Sequence, residues 1–487
     1  MDEEISQIKR RGVLSAGSLF FQSSFSAVLG FIAFFILTIK SGTYLLGIYN
    51  TVLAMMSFFS YFTNLGLAAA IIQKPEIKKE DLSTAFYIQL FLSVAAIIVG
   101  FFLTDYLFKF YKDLPANAVY LYWGLLASFF FLSLKTIPSV LLEKKIKIYK
   151  VVVVQMIENT VFYLSVIIFS LLGYDIYSLL IAVLARSITG VVLIYFMQPW
   201  VPSFTFSWQS AKSLLSYGIP FQGNSFLALI KDDLLIIYLG GVIGFRQLGI
   251  VVFAKKYAEF SIRLIMDNLS RVAFPIFSRF QKDKIILKKS VEKILLYQSI
   301  ILFPAIVGAM FVFPSVLKVI PGYFDKWNVA VFSFYFFSLS AFFVSLYSPF
   351  INLFNAIGKV KTSLLFMVLW TTLTWALVPL FNRLFGFNGI SMAFFVMSLT
   401  FIFVILTAKK TADFSLLNSY RSPLLATFVM ALFLFISTIF GARLNNLIFL
   451  VLSIGGGALI YGFVIYLDRG RRFFEELLAL VRFKKIK

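Results

Sequence analysis

The sequence predicts an all-α polytopic membrane protein of about fourteen transmembrane helices, arranged as two six-helix lobes plus two extra C-terminal helices. Three observations lead there. Of 487 residues, 60% are hydrophobic and only 14% charged, with a mean hydropathy of +0.92, far too apolar for a water-soluble chain. Apolar stretches of roughly 18 to 28 residues, the length that crosses a bilayer, recur along the chain. A faint internal repeat with a period near 200 residues doubles the pattern.

The spans begin near Val13, Tyr44, Thr84, Tyr120, Val151, Tyr177, Leu214, Gln247, Ile294, Val329, Ser363, Gly389, Pro423 and Asn446. An even number puts both termini on one side. With that side taken as cytoplasmic, the inner segments hold 29 of the 44 Lys and Arg residues and the outer loops 7. The inner ones include Lys9, Arg10 and Arg11, the run Lys144, Lys145, Lys147 and Lys150, and the segment from Arg279 to Lys293. Such asymmetry is the signature of short cytoplasmic loops, so the formal charge of +22 reports orientation rather than nucleic-acid binding.

The ends of the chain read differently. Asp2, Glu3 and Glu4 precede the first basic residues and no small-residue cleavage pattern follows, so a cleaved signal is not expected; Met1 to Arg11 reads as a short surface helix. At the other end, Phe473, Phe474, Leu477, Leu478, Val481 and Phe483 share one helical face among Arg and Lys residues, an interfacial helix for anionic lipid.

The repeat is carried by short matches that stay in order. Phe21-Gln22 answers Phe221-Gln222, Leu46-Gly47-Ile48 answers Leu248-Gly249-Ile250, Asn64-Leu65 answers Asn268-Leu269, and Gln73-Lys74 answers Gln281-Lys282. The expected organisation is therefore an N-terminal lobe over 1–197, an inner linker over 198–212, a second lobe over 213–408, two added spans over 409–466, and a basic tail over 467–487. Repeated lobes around a central site are a common architecture of secondary transporters.

Chemistry is constrained by what is missing. The chain has no Cys and no His, which removes disulfides, thiolate metal sites, Cys nucleophiles and the side chain that titrates near neutrality. No catalytic residue, metal or cofactor is expected. The segment Ala356-Ile-Gly-Lys-Val-Lys-Thr362 has the end of a phosphate loop, but Leu353 stands where the loop needs Gly and no strand precedes it. Energy would come from a proton or sodium gradient.

Within the apolar stretch from Leu248 to Phe277, the residues Lys255, Glu259, Arg263, Asp267 and Arg271 recur at every fourth position. That spacing puts all five on one slowly drifting helix face, which has to point at protein or at a watery cavity rather than at lipid. Across all spans, basic Lys135, Arg186, Lys231, Lys255, Lys256, Arg263, Arg271 and Lys318 exceed acidic Glu158, Asp232, Asp233, Glu259 and Asp267. A positive lining suits an anionic headgroup, since fixed cations compensate charge along a low-dielectric route.

Structural roles compete with these. Asp232 or Asp233 is placed to pair with Lys255 or Lys256 across the seventh hairpin, whose midpoint is near Ile243, and Glu259 and Asp267 flank Arg263 by one turn each. Glu158 is placed to pair with Arg186, Lys135 to snorkel inward, and Pro220 and Pro275 to bend their spans. For ion coupling the carboxylates to consider are Asp232, Asp233 and Glu158, because a carboxylate in an apolar setting accepts a proton more readily than one in water.

The segment Asn64-Leu-Gly-Leu-Ala-Ala-Ala-Ile-Ile-Gln73, the segment Glu80-Asp81-Leu82-Ser83-Thr84-Ala85-Phe86, and Arg271-Val-Ala-Phe-Pro275-Ile-Phe-Ser278-Arg279 closing the eighth span, on a chain of six plus six plus two spans, resemble a known family. They are similar to the Wzx-type polysaccharide flippases of the multidrug/oligosaccharidyl-lipid/polysaccharide exporter superfamily. The resemblance implies movement of an undecaprenyl-pyrophosphate-linked oligosaccharide from the inner to the outer leaflet; the excess of cations within spans makes Arg186, Lys231, Lys255, Lys256, Arg263 and Arg271 the candidates to meet the anionic substrate. It implies membrane lipids as surroundings and a polysaccharide polymerase and chain-length machinery as partners. Two other readings share the superfamily: a cation-coupled multidrug antiporter and a flippase for the peptidoglycan lipid precursor. The multidrug branch commonly has an acidic residue in its first span, and Val13 to Ile39 has none. A membrane glycosyltransferase or polymerase is disfavoured, because the longest outer loop, Asp105 to Ala118, carries only Asp105 and Asp113 as acids.

Overall fold

A computed structural model describes residues 21–22, 25–39, 42–74, 76–111, 114–145, 147–440 and 445–481. The expected surface helix at Met1–Arg11 lies outside them, as do the side chains of Asp267, Arg271 and the tail from 471 onward. All regular secondary structure among the described residues is helical, as a bilayer demands of a segment that must satisfy its own backbone.

The helices follow in order: α1 Phe25–Ile39, α2 Thr43–Asn64, α3 Leu67–Gln73, α4 Lys79–Phe102, α5 Thr104–Phe110, α6 Ala118–Lys144, α7 Ile148–Leu171, α8 Asp175–Met197, α9 Trp208–Phe221 and α10 Gly223–Arg279. After them come α11 Lys284–Val319, α12 Tyr323–Trp327, α13 Val331–Ala356, α14 Val360–Phe385, α15 Asn388–Ser398, α16 Phe401–Lys409, α17 Leu416–Phe440 and α18 Asn446–Val481. Among the described residues eleven helical stretches are long and apolar enough to cross a membrane, and Phe25–Ile39 and Thr43–Met55 are shorter apolar ones. One of the eleven, Phe226–Met266, has 41 residues. Left straight it would extend about 60 Å, twice the ~30 Å hydrocarbon core. Gly244 divides it: φ 77° and ψ 160° belong to no helix, and only glycine adopts that backbone without strain. The two arms of α10 are then two crossings and the total reaches fourteen, with the break one residue from the turn expected at Ile243. Pro220 lies near the end of α9 and Pro275 inside α10, which continues past it to Arg279.

The chain divides by packing into two compact units, Met1–Val252 and Phe253–Lys487, so the division falls inside α10. The first unit has one core where α3, α4, α6 and α9 bring Leu67, Ile71, Phe86, Ile137, Val140 and Leu214 together. The resemblance-carrying segment builds its edge. After α2 the chain turns through Leu65 and Gly66, both at positive φ, into α3. Buried Asp81 then accepts from Lys74 Nζ at 2.7 Å and from the Lys78 backbone N–H at 3.0 Å, while Lys144 Nζ donates to the Lys74 carbonyl. The second unit is centred on aromatic packing: Phe253 stacks on Trp327 at 3.8 Å and Phe313 on Phe334 at 3.7 Å. There α17 and α18 pack Met430, Leu434, Tyr461 and Ile465 together, with Tyr461 donating to the Ile300 carbonyl of α11 at 2.9 Å.

Candidate functional site

In the first unit the polar chemistry gathers around α7. Its residues Gln155, Asn159 and Tyr163, four apart, meet Gln22, Ser26 and Gly30 in turn, at a constant interval of 133 residues. Equal steps along both helices mean that they run parallel. The bonds are Gln22 to Gln155 at 2.6 Å and Asn159 to Ser26 at 2.9 Å, and the Tyr163 hydroxyl fills the space that a side chain at Gly30 would take.

The next face of α7 carries Glu158 and, one turn on, Phe162. Glu158 is buried and accepts from Lys135 Nζ of α6 at 2.6 Å. This corrects the expected pairing with Arg186, and it corrects Lys135 as a snorkelling side chain. The reason is the register of the antiparallel α7 and α8: Glu158 fills the notch at Gly190, while Arg186, one turn away, sits over the Phe162 ring at 5.6 Å. Arg186 is the central residue of α8 and its side chain is exposed, within electrostatic reach of the Tyr49 and Tyr163 hydroxyls.

A second group lies in the first arm of α10. Lys231 pairs with its neighbour Asp232 at 2.8 Å. Asp233, part-buried, lies beside the Asp232 carboxylate and Ser57 of α2.

The third group is the four-residue stripe, in the second unit. Glu259 accepts from Arg263 at 2.9 Å and stands 3.9 Å from Lys255, whose ammonium lies 4.2 Å from the centre of the Phe394 ring. Two cations therefore share one carboxylate, and the Arg263 side chain remains 65% exposed. Lys256 is part-buried beside them. Counted along the chain, acids and bases within spans balance in the first unit, and the whole positive excess falls in the second.

What the sequence reading missed are Tyr49, Phe162, Tyr163 and Phe394. For α7 the signal was available, since Gln155, Asn159 and Tyr163 repeat at the interval that marked α10. Among the described residues no group of acidic side chains is placed to hold a metal ion.

Residues 45–332, more than half of the chain, match a family model described as "Polysaccharide biosynthesis protein". The teichuronic acid biosynthesis protein TuaB of Bacillus subtilis is 22% identical over 280 residues, 56% of each protein, so the match spans just over half of that relative. The lipopolysaccharide biosynthesis protein WzxC of Escherichia coli is 22% identical over 360 residues, 72% of this chain and 71% of the relative. Among solved structures, the lipid II flippase MurJ in an inward closed conformation aligns over 96% of this chain and 100% of its own, at TM-score 0.70 and 16% identity. The chain thus shares the fold of that structure, and it belongs to the polysaccharide biosynthesis protein family.

Proposed function

We propose that this protein is a secondary transporter that moves an undecaprenyl-pyrophosphate-linked oligosaccharide from the inner to the outer leaflet of the cytoplasmic membrane by alternating access. Both termini are cytoplasmic in this reading. Arg186, Lys231, Lys255, Lys256, Arg263 and Arg271 meet the pyrophosphate, and a proton or sodium ion drives the cycle through Asp232, Asp233 or Glu158. Among those acids Asp233 is the best placed, because Glu158 is held by Lys135 and works only if that pair opens. The polysaccharide polymerase and chain-length machinery would receive the product.

One observation carries the reading: Lys255 and Arg263 flank a single carboxylate on the second arm of α10, with the Arg263 guanidinium accessible. Two cations on one carboxylate leave a surplus positive charge, which an anionic headgroup would compensate. The names of TuaB and WzxC place those relatives in polysaccharide pathways.

The test is Arg263→Ala in cells that depend on this protein for their surface polysaccharide. Export of the linked oligosaccharide should be lost while the variant remains folded in the membrane, and Arg263→Lys should retain part of it. Normal export by Arg263→Ala removes Arg263 from the mechanism. Intact polysaccharide together with drug sensitivity in a deletion strain would favour the multidrug reading.

A further inference from the structure

The connection between α8 and α9, residues 198–207, together with Trp208 at the start of α9, is not a slack linker. It is a strap with two unlike faces. On one face Trp200 packs on Phe86 of α4 at 5.3 Å between ring centres. Ser203 donates its backbone N–H to Ser83 Oγ at 3.0 Å and accepts at its carbonyl from the Tyr87 hydroxyl at 3.2 Å; Ser207 donates its backbone N–H to Thr84 Oγ1 at 3.0 Å. Ser207 Oγ then caps α9 by accepting from the Ser210 N–H. On the other face stand Val201, Phe204, Phe206 and Trp208. Val201 is 83% exposed, Phe206 54% and Trp208 76%, and Phe204 is fully exposed.

Serine backbone turned inward with Val201, Phe204, Phe206 and Trp208 outward is the reverse of a soluble loop, whose apolar residues turn in. The strap joins the end of one span to the start of the next, so it lies at the level where hydrocarbon meets headgroup. Phe196, exposed at the end of α8, continues the apolar face into the span. Lys145, which donates to Gln198 at 3.3 Å, and Lys212 are both exposed beside it. Aromatic side chains with adjacent lysines are the composition that binds an anionic bilayer interface.

We infer that residues 201–208 form an interfacial membrane anchor: Phe204, Phe206 and Trp208 insert among the lipid headgroups on the lysine-rich face, while Ser203 and Ser207 hold the strap to α4. The link between the two repeat halves is thereby fixed in the membrane plane, and α9 starts from an anchored point. Lipid is the occupant, because the apolar face is continuous with the lipid-exposed flank of α8 and is bordered by cations.

The chain has no cysteine, so a nitroxide on Phe204→Cys is the only label that full-length protein will carry. The variant is reconstituted in vesicles of phosphatidylethanolamine and phosphatidylglycerol, and collisions with oxygen and with a neutral nickel chelate are read by electron paramagnetic resonance. The same label on Lys282→Cys, in the exposed turn before α11, serves as the aqueous reference. The anchor predicts that the label at 204 is reached by oxygen and loses collision with the chelate relative to position 282. It also predicts a shallower label at 204 when Lys145→Gln and Lys212→Gln are added. Equal chelate access at the two positions would show the strap in water and overturn the inference. Exclusion of both reagents would mean that protein covers it, and would overturn it equally.

Discussion

Gly47 and Gly249, which the repeat aligns at an interval of 202 residues, occupy reciprocal positions in the first unit. A Cβ on Gly47 would overlap the Phe245 carbonyl of α10, and one on Gly249 would overlap the Thr43 carbonyl of α2. Phe245 is itself 202 residues from Thr43. Each helix therefore presents its first turn to its counterpart's glycine, and the crossing has local twofold symmetry. Close helix approach through small residues is how membrane helices gain packing where water offers no driving force.

Because no atom can yield at this crossing except backbone, Gly249→Ala should separate the two helices. Overpacking of this kind costs about 1–3 kcal/mol. Thermal unfolding in detergent should show a clear loss for Gly249→Ala and a similar one for Gly47→Ala, whereas Gly455→Ala, at a glycine with open space around it, should leave the midpoint unchanged.

Glu158 and Lys135 form a buried pair, and removing one member strands the other. Lys135→Ala should destabilise the protein by about 3–5 kcal/mol, since an uncompensated charge is left inside. The double variant Lys135→Met with Glu158→Leu should recover much of that loss. If Lys135→Ala is as stable as the parent, the pair is not what holds α6 to α7.

At the end of the first unit opposite the lysine-rich loops, the C-terminal end of α5 and the residue after it fit a notch in the first arm of α10. The Phe110 ring fills the space beside Gly241, and Tyr111, buried against Gly240, donates to the Ile237 carbonyl at 2.9 Å and lies 5.1 Å from the Phe245 ring. Tyr111→Phe should cost about 0.5–1.5 kcal/mol, the usual net worth of one hydrogen bond. If the notch opens during transport, oxidising Phe110→Cys with Gly241→Cys should stop export and reduction should restore it.

Arg186→Ala and Arg186→Lys test the mid-span guanidinium. Loss of export in the first with partial activity in the second is expected of a group that binds a phosphate as a fork. Equal activity in all three proteins would assign Arg186 to packing on Phe162 alone.

The sequence determined the membrane class, the span lengths, the break near Ile243 and the surplus of in-span cations, because length, hydropathy and charge are properties of a strand of residues taken in order. It also placed Lys255, Glu259 and Arg263 on one face, because four-residue spacing is a property of a single helix. Only the tertiary structure decided that Glu158 belongs to Lys135, that Gln155, Asn159 and Tyr163 answer Gln22, Ser26 and Gly30, and that serines pin the strap with Phe204, Phe206 and Trp208 outward. Periodicity tells which side chains share a face. Which face meets which neighbour depends on the rotation of each helix about its own axis and on interhelical register, and those are set by notches such as Gly190 and by packing summed over the bundle.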